Sequence, residues 1–466
     1  MGITSILNIA KNAMFAQQFS IQVASHNIAN VNTKGYCRQI ADLREGALVP
    51  SEFGFVGTGV TVAGFVTYFD RFLENTIANR NTSLEQQSTS ATYFSRIETI
   101  LNENNSNLAA KITNFFNGWS ELSADPTSYA RRSSLAMKGE NLARTFNNLY
   151  NELNALQKEL DHGVEGVVAE INRLTAGIAD LNEKIIALGS TNGEDAAYVN
   201  QRAQLIKELS GKINITSFED QAGGLTVITG AGKTLVERNT SWKLTTQQDP
   251  STGFKGVFWE DGSGNPTNIT GGISGGKIKA LIDMRDKYLE NGFIKDLDEL
   301  AKTIITEVNT RHMAGYNQNG TTGIAFFKEI DSNFARDMDL SSDVKNDVSN
   351  IAAASAPGEP SGNDMALQIA SLIDQSLAIN GQTTRMTTYV SSMMGNVGEL
   401  TRNAQELSDQ HQSAMTIMEK QRESVSGVSI DEEMTNLLKY QYAYQAAARL
   451  ITVADEMFRD LLGVIR

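Results

Sequence analysis

Three stretches of the 466-residue sequence carry residue types at spacings that chemistry uses. Val227-Ile-Thr-Gly-Ala-Gly-Lys-Thr234 approaches a phosphate-binding loop, in which glycine amides and a lysine surround a phosphate ahead of a helix. Val227 stands where that pattern needs glycine, and Leu235-Val236-Glu237-Arg238-Asn239-Thr240 continues as strand and turn. A hairpin turn through Gly230 and Gly232 is the expectation. Gly271 to Lys277 has the same spacing, with Ile278 in place of the magnesium-binding hydroxyl. Gly272-Ile-Ser274-Gly-Gly276 is spaced like a nucleophile elbow, but Pro266 to Thr270 is a poor strand to precede one. A turn opening a helix is expected there.

The acidic stretch Asp331, Asn333, Asp337, Asp339, Asp343 and Asp347 is interrupted by Ala335 and Arg336, which a calcium loop does not tolerate. It is expected to be a solvated loop with helix caps. The four histidines are scattered, with no metal-ligand spacing, and His411 is read as a polar residue on a helix seam. No catalytic constellation emerges, and no cofactor or metal is expected. The 40 basic residues against 54 acidic ones leave a net charge of −14, which disfavours nucleic acid as a partner. No run approaches the roughly 18 apolar residues of a membrane span, so no membrane insertion is expected. Met1 to Ala10 lacks the basic region of a cleavable signal. Cys37, the one cysteine, excludes an intrachain disulfide.

The elements that would position these residues are mostly long helices. Leu135, Gly139, Leu142, Phe146, Leu149, Leu153, Leu156, Leu160, Val164, Val167, Ile171, Leu174, Ile178, Leu181, Ile185 and Leu188 follow heptad spacing. Gly139 breaks that seam, and His162-Gly163 with Gly166 is a place for a kink. A second run comprises Val390, Met393, Val397, Leu400, Ala404, Leu407, His411, Ala414 and Met418. Each end carries one apolar stripe. At the front it holds Ile3, Leu7, Ala10, Met14, Gln17, Ile21, Ala24 and Ile28. At the back it holds Leu437, Tyr440, Tyr444, Ala447, Ile451, Ala454, Phe458, Leu461 and Ile465, behind a Ser429/Glu432 capping box. A single-stripe helix is marginal alone, so each end is expected to pack on the other and then on neighbouring subunits.

Residues 213–270 lose the heptads and gain glycine, threonine and alternation, which implies a small β insert. The expected fold is therefore mainly α with a β insert, in nested order. Residues 1–37 and 429–466 form a terminal coiled-coil domain, and 38–74 a β-rich linker. Residues 75–212 and 271–428 form a long helical-bundle domain, and 213–270 the outer β domain.

Between the first helix and the linker stands Ser25-His-Asn27-Ile-Ala-Asn30-Val-Asn-Thr33-Lys-Gly35-Tyr36-Cys-Arg38-Gln39. The asparagines and Thr33 can end a helix with side-chain hydrogen bonds, Gly35 permits positive φ, and Tyr36 is an apolar anchor with a polar tip. This segment resembles the signature of the bacterial flagellar axial proteins, the rod, hook and hook-associated proteins. Their Asn-x-x-Asn-x-x-Thr-x-Gly-Tyr pattern is matched by Asn27, Asn30, Thr33, Gly35 and Tyr36, with Arg38 beside it. Val425 to Met434 with Tyr440 to Arg449 is similar to the hook-associated members, as are Gly57 to Val60, Asp70 to Leu73, Ile278 to Arg285 and Glu307 to Tyr316. The sequence departs from the family at Lys34, commonly proline, and at Cys37, commonly serine.

The resemblance implies a structural protein at the junction of hook and filament, located extracellularly in the flagellum and exported unfolded. It implies four partners: further copies of itself in a ring at the hook tip, the hook protein, the second junction protein (hook-associated protein 3), and an export chaperone at the C-terminal helix. On this reading Ile3, Leu7, Ile21, Ile28, Leu437, Tyr444, Ile451, Phe458, Leu461 and Ile465 are the assembly and chaperone interface. Alternatives are another axial protein, such as hook or rod, and a soluble coiled-coil scaffold; an enzyme is disfavoured.

Overall fold

The computed structural model describes residues 3–33, 35–51, 54–189, 195–250 and 252–464. Helix α1 (Ile3–Ala29) leads through the motif turn into four short strands, β1 (Gln39–Glu45), β2 (Leu48–Ser51), β3 (Gly54–Gly57) and β4 (Val60–Thr67). β1 pairs antiparallel with β4, from Gln39 opposite Thr67 to Glu45 opposite Val60, and β2 pairs with β3. The helix α2 (Arg71–Ala124) starts earlier than the expected end of the β-rich linker at 74. Asp70 explains the start: its Oδ1 accepts from the amides of Phe72 and Leu73 at 3.0 and 3.1 Å, satisfying two free donors of the first turn.

Helix α3 (Tyr129–Leu188) is the spine. Its 60 residues make a rod of about 90 Å. The heptad residues Leu135 to Ile185 are buried along its length. The helix runs through His162-Gly163 and Gly166, correcting the expected kink. Gly139 does not break the seam either. A Cβ there would stand 3.0 Å from both Leu340 and Phe326, so the missing side chain is the hole that admits those two. Phe326 belongs to an aromatic cluster with Phe115, Trp119 and Phe327, with ring centroids 4.9 to 5.5 Å from it.

After α4 (Ala196–Lys212) comes the β part. One sheet has the order β5 (Ile215–Glu219), β6 (Leu225–Thr229), β7 (Thr234–Glu237) and β8 (Thr240–Ser241). The other places β10 (Lys255–Glu260) between β9 (Leu244–Gln248) and β11 (Pro266–Asn268). Val227 to Thr234 is therefore the β6–β7 hairpin, and the Lys233 ammonium lies 4.9 Å from the Trp259 ring. The sheets are tied to α3 by asparagines. Asn182 Nδ2 donates to the carbonyls of Leu225 and Arg238 at 2.8 and 2.7 Å, and its Oδ1 accepts from the Leu225 amide at 3.1 Å. Asn172 does the same for both main-chain groups of Leu244, at 2.7 and 2.8 Å.

The helical pattern resumes in α5 (Lys277–Asp283), a wide-turn segment Met284–Ile294 and α6 (Lys295–Ala314). Ser274 Oγ accepts from Asn214 Nδ2 at 2.8 Å, at the turn before α5. The mixed region that follows holds three short helices, α7 (Phe334–Asp337), α8 (Ser342–Asn346) and α9 (Asp364–Ala370). Its acids act as caps and ion-pair partners: Asp347 Oδ1 accepts from the Ser349 amide at 2.9 Å, and Asp337 pairs with Arg336 at 2.7 Å. A hairpin of β12 (Leu377–Ile379) and β13 (Gln382–Thr384) interrupts a stretch expected to be helical.

Helix α10 (Met386–Ser426) lies along α2, and α11 (Ile430–Val464) lies along α1. The α10 seam shifts by one residue midway. Val390, Met393, Val397 and Ala404 are buried as expected, but then Ser408 and Met415 turn inward while Leu407 is 42% exposed. Two consecutive four-residue steps, 400 to 404 to 408, produce such a shift. The molecule is mainly helical with a smaller β component. Among the described residues no helix is long and apolar enough to cross a membrane.

His312 sits on α6, fully buried. Its Nδ1 donates to the Ile324 carbonyl at 2.7 Å and its Nε2 accepts from the Ala352 amide at 2.9 Å. That pairing requires the neutral ring, and burial pushes its pKa down to about 4. Two predictions follow from this packing. Gly139→Leu, which completes the heptad on paper, should destabilise the bundle by about 1–3 kcal/mol in urea unfolding; an unchanged or raised midpoint would refute the hole. In the unfolded chain His312 titrates near 6.5, so the unfolded state binds the extra proton first as pH falls. Stability should therefore drop by about 2 kcal/mol between pH 7 and pH 5, and His312→Asn should lose that part of the pH dependence.

Candidate functional site

The motif residues gather where α1 ends, and they do so around one side chain. Asn27 is completely buried in the last turns of α1. Its Nδ2 donates to the Gln39 carbonyl at 2.8 Å, and its Oδ1 accepts from the Gln39 amide at 3.0 Å. A side-chain amide thus pairs with the first residue of β1 as a neighbouring strand would. Oδ1 also accepts from the Tyr36 hydroxyl at 2.8 Å. Nδ2 donates again to Glu433 Oε2 at 3.1 Å, across 406 residues of sequence.

The turn between α1 and β1 is built from the remaining motif positions. Asn30 Nδ2 donates to the His26 carbonyl at 3.0 Å, and its Oδ1 accepts from Thr33 Oγ1 at 3.1 Å. Both bonds close the frayed end of α1. Gly35 has φ +82°, a conformation that a Cβ would strain. Lys34 lies outside the described residues. Tyr36 folds back, its hydroxyl 2.9 Å from His26 Nδ1. Burial, reinforced by Glu433, pushes the Tyr36 phenol up to about 12, so it stays a donor across the physiological range.

Arg38 then reaches the other end of the chain. Its Nε donates to Glu433 Oε1 at 2.7 Å and its Nη1 to Glu432 Oε2 at 3.0 Å. Its backbone amide donates to the Ser426 carbonyl at 2.8 Å, at the end of α10. The expected capping box is corrected here. Ser429 Oγ accepts from the Glu432 amide at 3.5 Å, but the Glu432 carboxylate turns to Arg38. Arg422 completes the join: it pairs with Glu74 on α2 and donates to the Gly35 carbonyl at 3.0 Å. Cys37 is fully buried beside it, with Sγ 3.7 Å from Arg422 Nη2, and burial pushes its thiol up. These groups hold one another, and the chemistry of the arrangement is cohesion: five segments of chain meet at one turn.

The interface residues fall into two sets. Because α1 ends and α11 begins at this node, the two helices run antiparallel. On α11 the inward line is Glu433, Leu437, Tyr440, Tyr444, Ala447, Ile451 and Ala454, buried or half-buried against α1. Phe458 and Leu461 are 50% and 52% exposed. Length explains this. From Asn27 back to Ile3 is 24 residues, about 36 Å of helix, and Phe458 lies about that far from Glu433 along α11. The stripe therefore outruns the first described turn of α1. Ile465 lies outside the described residues. On α1, Ile3, Leu7, Ile21 and Ile28 are half-buried, while Ala10, Ala16, Ser20, Val23 and Ala24 are buried. α1 also packs on β1 and β4, and Ala16, Ser20 and Val23, off the expected stripe, are buried.

Sequence reasoning missed Glu433, Arg422, Glu74 and Gln39. Their partners are distant in sequence, and no local periodicity marks them. It also missed two exposed apolar groups on α11 off the line that α1 covers, Ile430, Met434 and Leu438 near its start and Leu450, Val453 and Met457 further along, all about half exposed. Their 3- and 4-residue spacing was available to read, but it lies beside the stripe that α1 covers.

Known proteins similar to this chain are flagellar. Residues 94–327 match the family model described as the flagellar hook-associated protein FlgK helical domain. Residues 7–36 match that of the flagella basal body rod protein, and residues 420–464 that of the flagellar basal body rod FlgEFG protein C-terminal region. The chain is 27% identical over 497 residues to flagellar hook-associated protein 1 of Bacillus subtilis, covering 98% of this chain and 97% of that one. It is 24% identical over 557 residues to the Salmonella typhimurium protein of the same name, covering 99% and 100%. The solved structure of the flagellar hook junction protein FlgK from Burkholderia pseudomallei superimposes with a TM-score of 0.68 at 14% identity, over 76% of this chain and all of that one. At that identity the likeness speaks for the fold.

If Asn27 is the centre of the node, substitutions there should cost more than at its neighbours. Asn27→Asp removes both donors and sets a carboxylate beside buried Glu433, and is expected to destabilise by about 3–5 kcal/mol. Tyr36→Phe removes the hydroxyl alone, at about 1 kcal/mol. Urea unfolding followed by helical circular dichroism should rank them in that order; equal costs would move the centre elsewhere.

Proposed function

The chain belongs to the flagellar hook-associated protein FlgK family, and from that premise we propose that it forms the junction between hook and filament by polymerising at the hook tip. Membership makes it a structural protein of the bacterial flagellum that interacts with other axial components. The finer reading places it outside the cell, in a ring of its own copies. It meets the hook protein on one side and hook-associated protein 3 on the other. In this reading the terminal unit, residues 1–37 with 429–466, lines the axis, the bundle of 75–212 and 271–428 surrounds it, and 213–270 faces outward.

One observation carries the proposal. The terminal helices satisfy each other along one stripe, and α11 still exposes Met434, Leu438, Leu450, Val453 and Met457 on its other faces and Phe458 and Leu461 at the far end of the inward stripe. Large apolar side chains repeated at helical spacing on an exposed face mark a surface that meets protein. The same helix is the natural docking segment for an export chaperone, by the helix-in-groove mode.

The interface is accordingly shared between the inward line (Leu437, Tyr444, Ile451) and the overhang (Phe458, Leu461). Leu461→Asp would bury an unpaired charge in the assembled state and is expected to abolish filament attachment while leaving the isolated chain folded. Electron microscopy of cells carrying it, alongside a clean deletion, is the test. Hooks without filaments, with flagellin in the medium, are expected in both. Normal filaments in the Leu461→Asp cells would remove the assembly role from this stripe, and loss of the hooks themselves would move the protein to the hook or rod. Capture of the chaperone by a chain lacking residues 429–466 would reject the C-terminal docking site.

A further inference from the structure

Residues 315–363 close one end of the bundle, and little inside them could hold a fold alone. Their α-helices, α7 and α8, have four and five residues, too short to be stable in water. The segment is held by ties to itself and to the helices beneath. The Tyr316 amide donates to the Ala354 carbonyl at 2.8 Å, which brings its two ends together. Asn309 on α6 accepts from the amides of Phe326 and Phe327 at 3.0 and 2.8 Å. Arg132 on α3, almost completely buried, donates to the Ile351 carbonyl. His312 on α6 bridges the segment, with Nδ1 on the Ile324 carbonyl and Nε2 on the Ala352 amide. Buried Phe326, Phe327, Leu340 and Ile351 add an apolar underside.

The His312 ring is enclosed. Trp119 on α2 and Phe326 lie against it, with ring centroids 5.9 and 5.5 Å away. The charge that acts on it is the Arg132 guanidinium, whose own bonds go to the carbonyls of Pro126 and Ile351. Asp347, in the segment, acts on Arg132 and caps Ser349. Arg311, beside His312 on α6, is paired with Glu307. A proton on Nε2 would aim a donor at the Ala352 amide, leave that amide without an acceptor, and set a second cation near Arg132 in the interior. Both partners of the ring belong to the segment, so lifting it frees the amide and admits water to both cations. We propose that residues 315–363 are a cap that His312 locks while its ring is neutral, and that opens as one unit, with α2 and α3 still folded, when the ring takes up a proton. Opening uncovers the aromatic floor of Phe115 and Trp119 and the hole at Gly139, which Phe326 and Leu340 fill while the cap is closed.

The experiment is amide hydrogen exchange of the full chain at pH 7 and pH 5, corrected for the intrinsic effect of pH on exchange. His312→Asn, whose side chain does not titrate, is the control. At pH 7 the amides of Tyr316, Lys328, Ser341, Ala352 and Ala353 are expected to exchange through one shared opening, faster than the α3 amides 149–178. His312 titrates at about 4 in the closed cap and near 6.5 in the open one, so the open cap takes the proton first as pH falls. The open population should therefore rise about 20-fold from pH 7 to pH 5. In His312→Asn the cap amides should change by less than about 3-fold, and in both chains α3 should stay the better protected. Cap amides that exchange only together with α3 would overturn the separate unit. A cap that opens equally at both pH values, or that keeps its pH response in His312→Asn, would overturn the lock. Should His312→Asn not fold, ring NMR of the unaltered chain decides: a His312 ring that titrates near 6.5 while the cap amides stay protected would overturn the lock, and a ring still neutral at pH 5 in the closed cap would uphold it.

Discussion

A buried asparagine amide paired two ways with extended main chain is the interaction on which this structure depends. It occurs at Asn27 with Gln39, at Asn182 with Leu225 and at Asn309 with Phe327, and the half-buried Asn172 repeats it with Leu244. Each asparagine projects from a helix and takes up main-chain groups that the sheet beside it leaves unpaired: Gln39 and Leu244 lie on edge strands, and Leu225 stands at the start of β6, before its pairing with β7 begins. The carboxamide has the donor and acceptor of a peptide group and no charge, so it closes that edge without the desolvation cost of an ion. Helices that would otherwise touch strands through apolar contact alone are thereby fixed in register as well as in position.

Around these joints the rest is long-helix packing. The α3 heptads bury one continuous seam against α2, α4, α5 and α6 and against the sheets. Where charge enters this interior it is matched. Arg285, 2% exposed, meets Asp161 and Asp286 at 2.6 Å each and the Lys255 carbonyl at 2.9 Å, with its guanidinium 5.0 Å from the Phe254 ring. Arg202 similarly serves Asn182 and the Gly223 carbonyl at 2.8 and 2.6 Å. Both arginines bind the β part to the helices, and they occupy places where a lysine's single ammonium could not reach as many acceptors at once. The terminal pair is attached differently, through the Asn27 node and the Arg422–Glu74 pair, at one end of the rod.

Much of this was legible in the residues. The α3 seam, the apolar stripes of both ends, the change to β character after 213 and the hairpin nature of Val227 to Thr234 all follow from local spacing. Errors arose where a distant residue supplies what the local pattern lacks. Gly139 looked like a defect because Phe326 and Leu340, which fill its place, lie far along the chain. Leu407 looked inward because strict heptads were carried across a position where α10 drifts relative to its neighbours. Glu432 looked like half of a capping box because its real partner, Arg38, stands 394 residues away. The motif residues were identified, but their role in uniting the two ends was not, since Glu433 carries no pattern of its own.

By itself the sequence determined where the long helices run, the apolar seam of α3 and the inward stripe of α11, and which residues form the signature turn. Those properties depend on neighbours within a few residues, through backbone propensity and periodicity. Only the tertiary structure decided which apolar face meets which partner, how far α11 extends past α1, and that one buried amide joins Gln39, Tyr36 and Glu433. Those depend on the directions in which separate rods cross and on single hydrogen bonds whose members are hundreds of residues apart, and no local pattern of residue types encodes either.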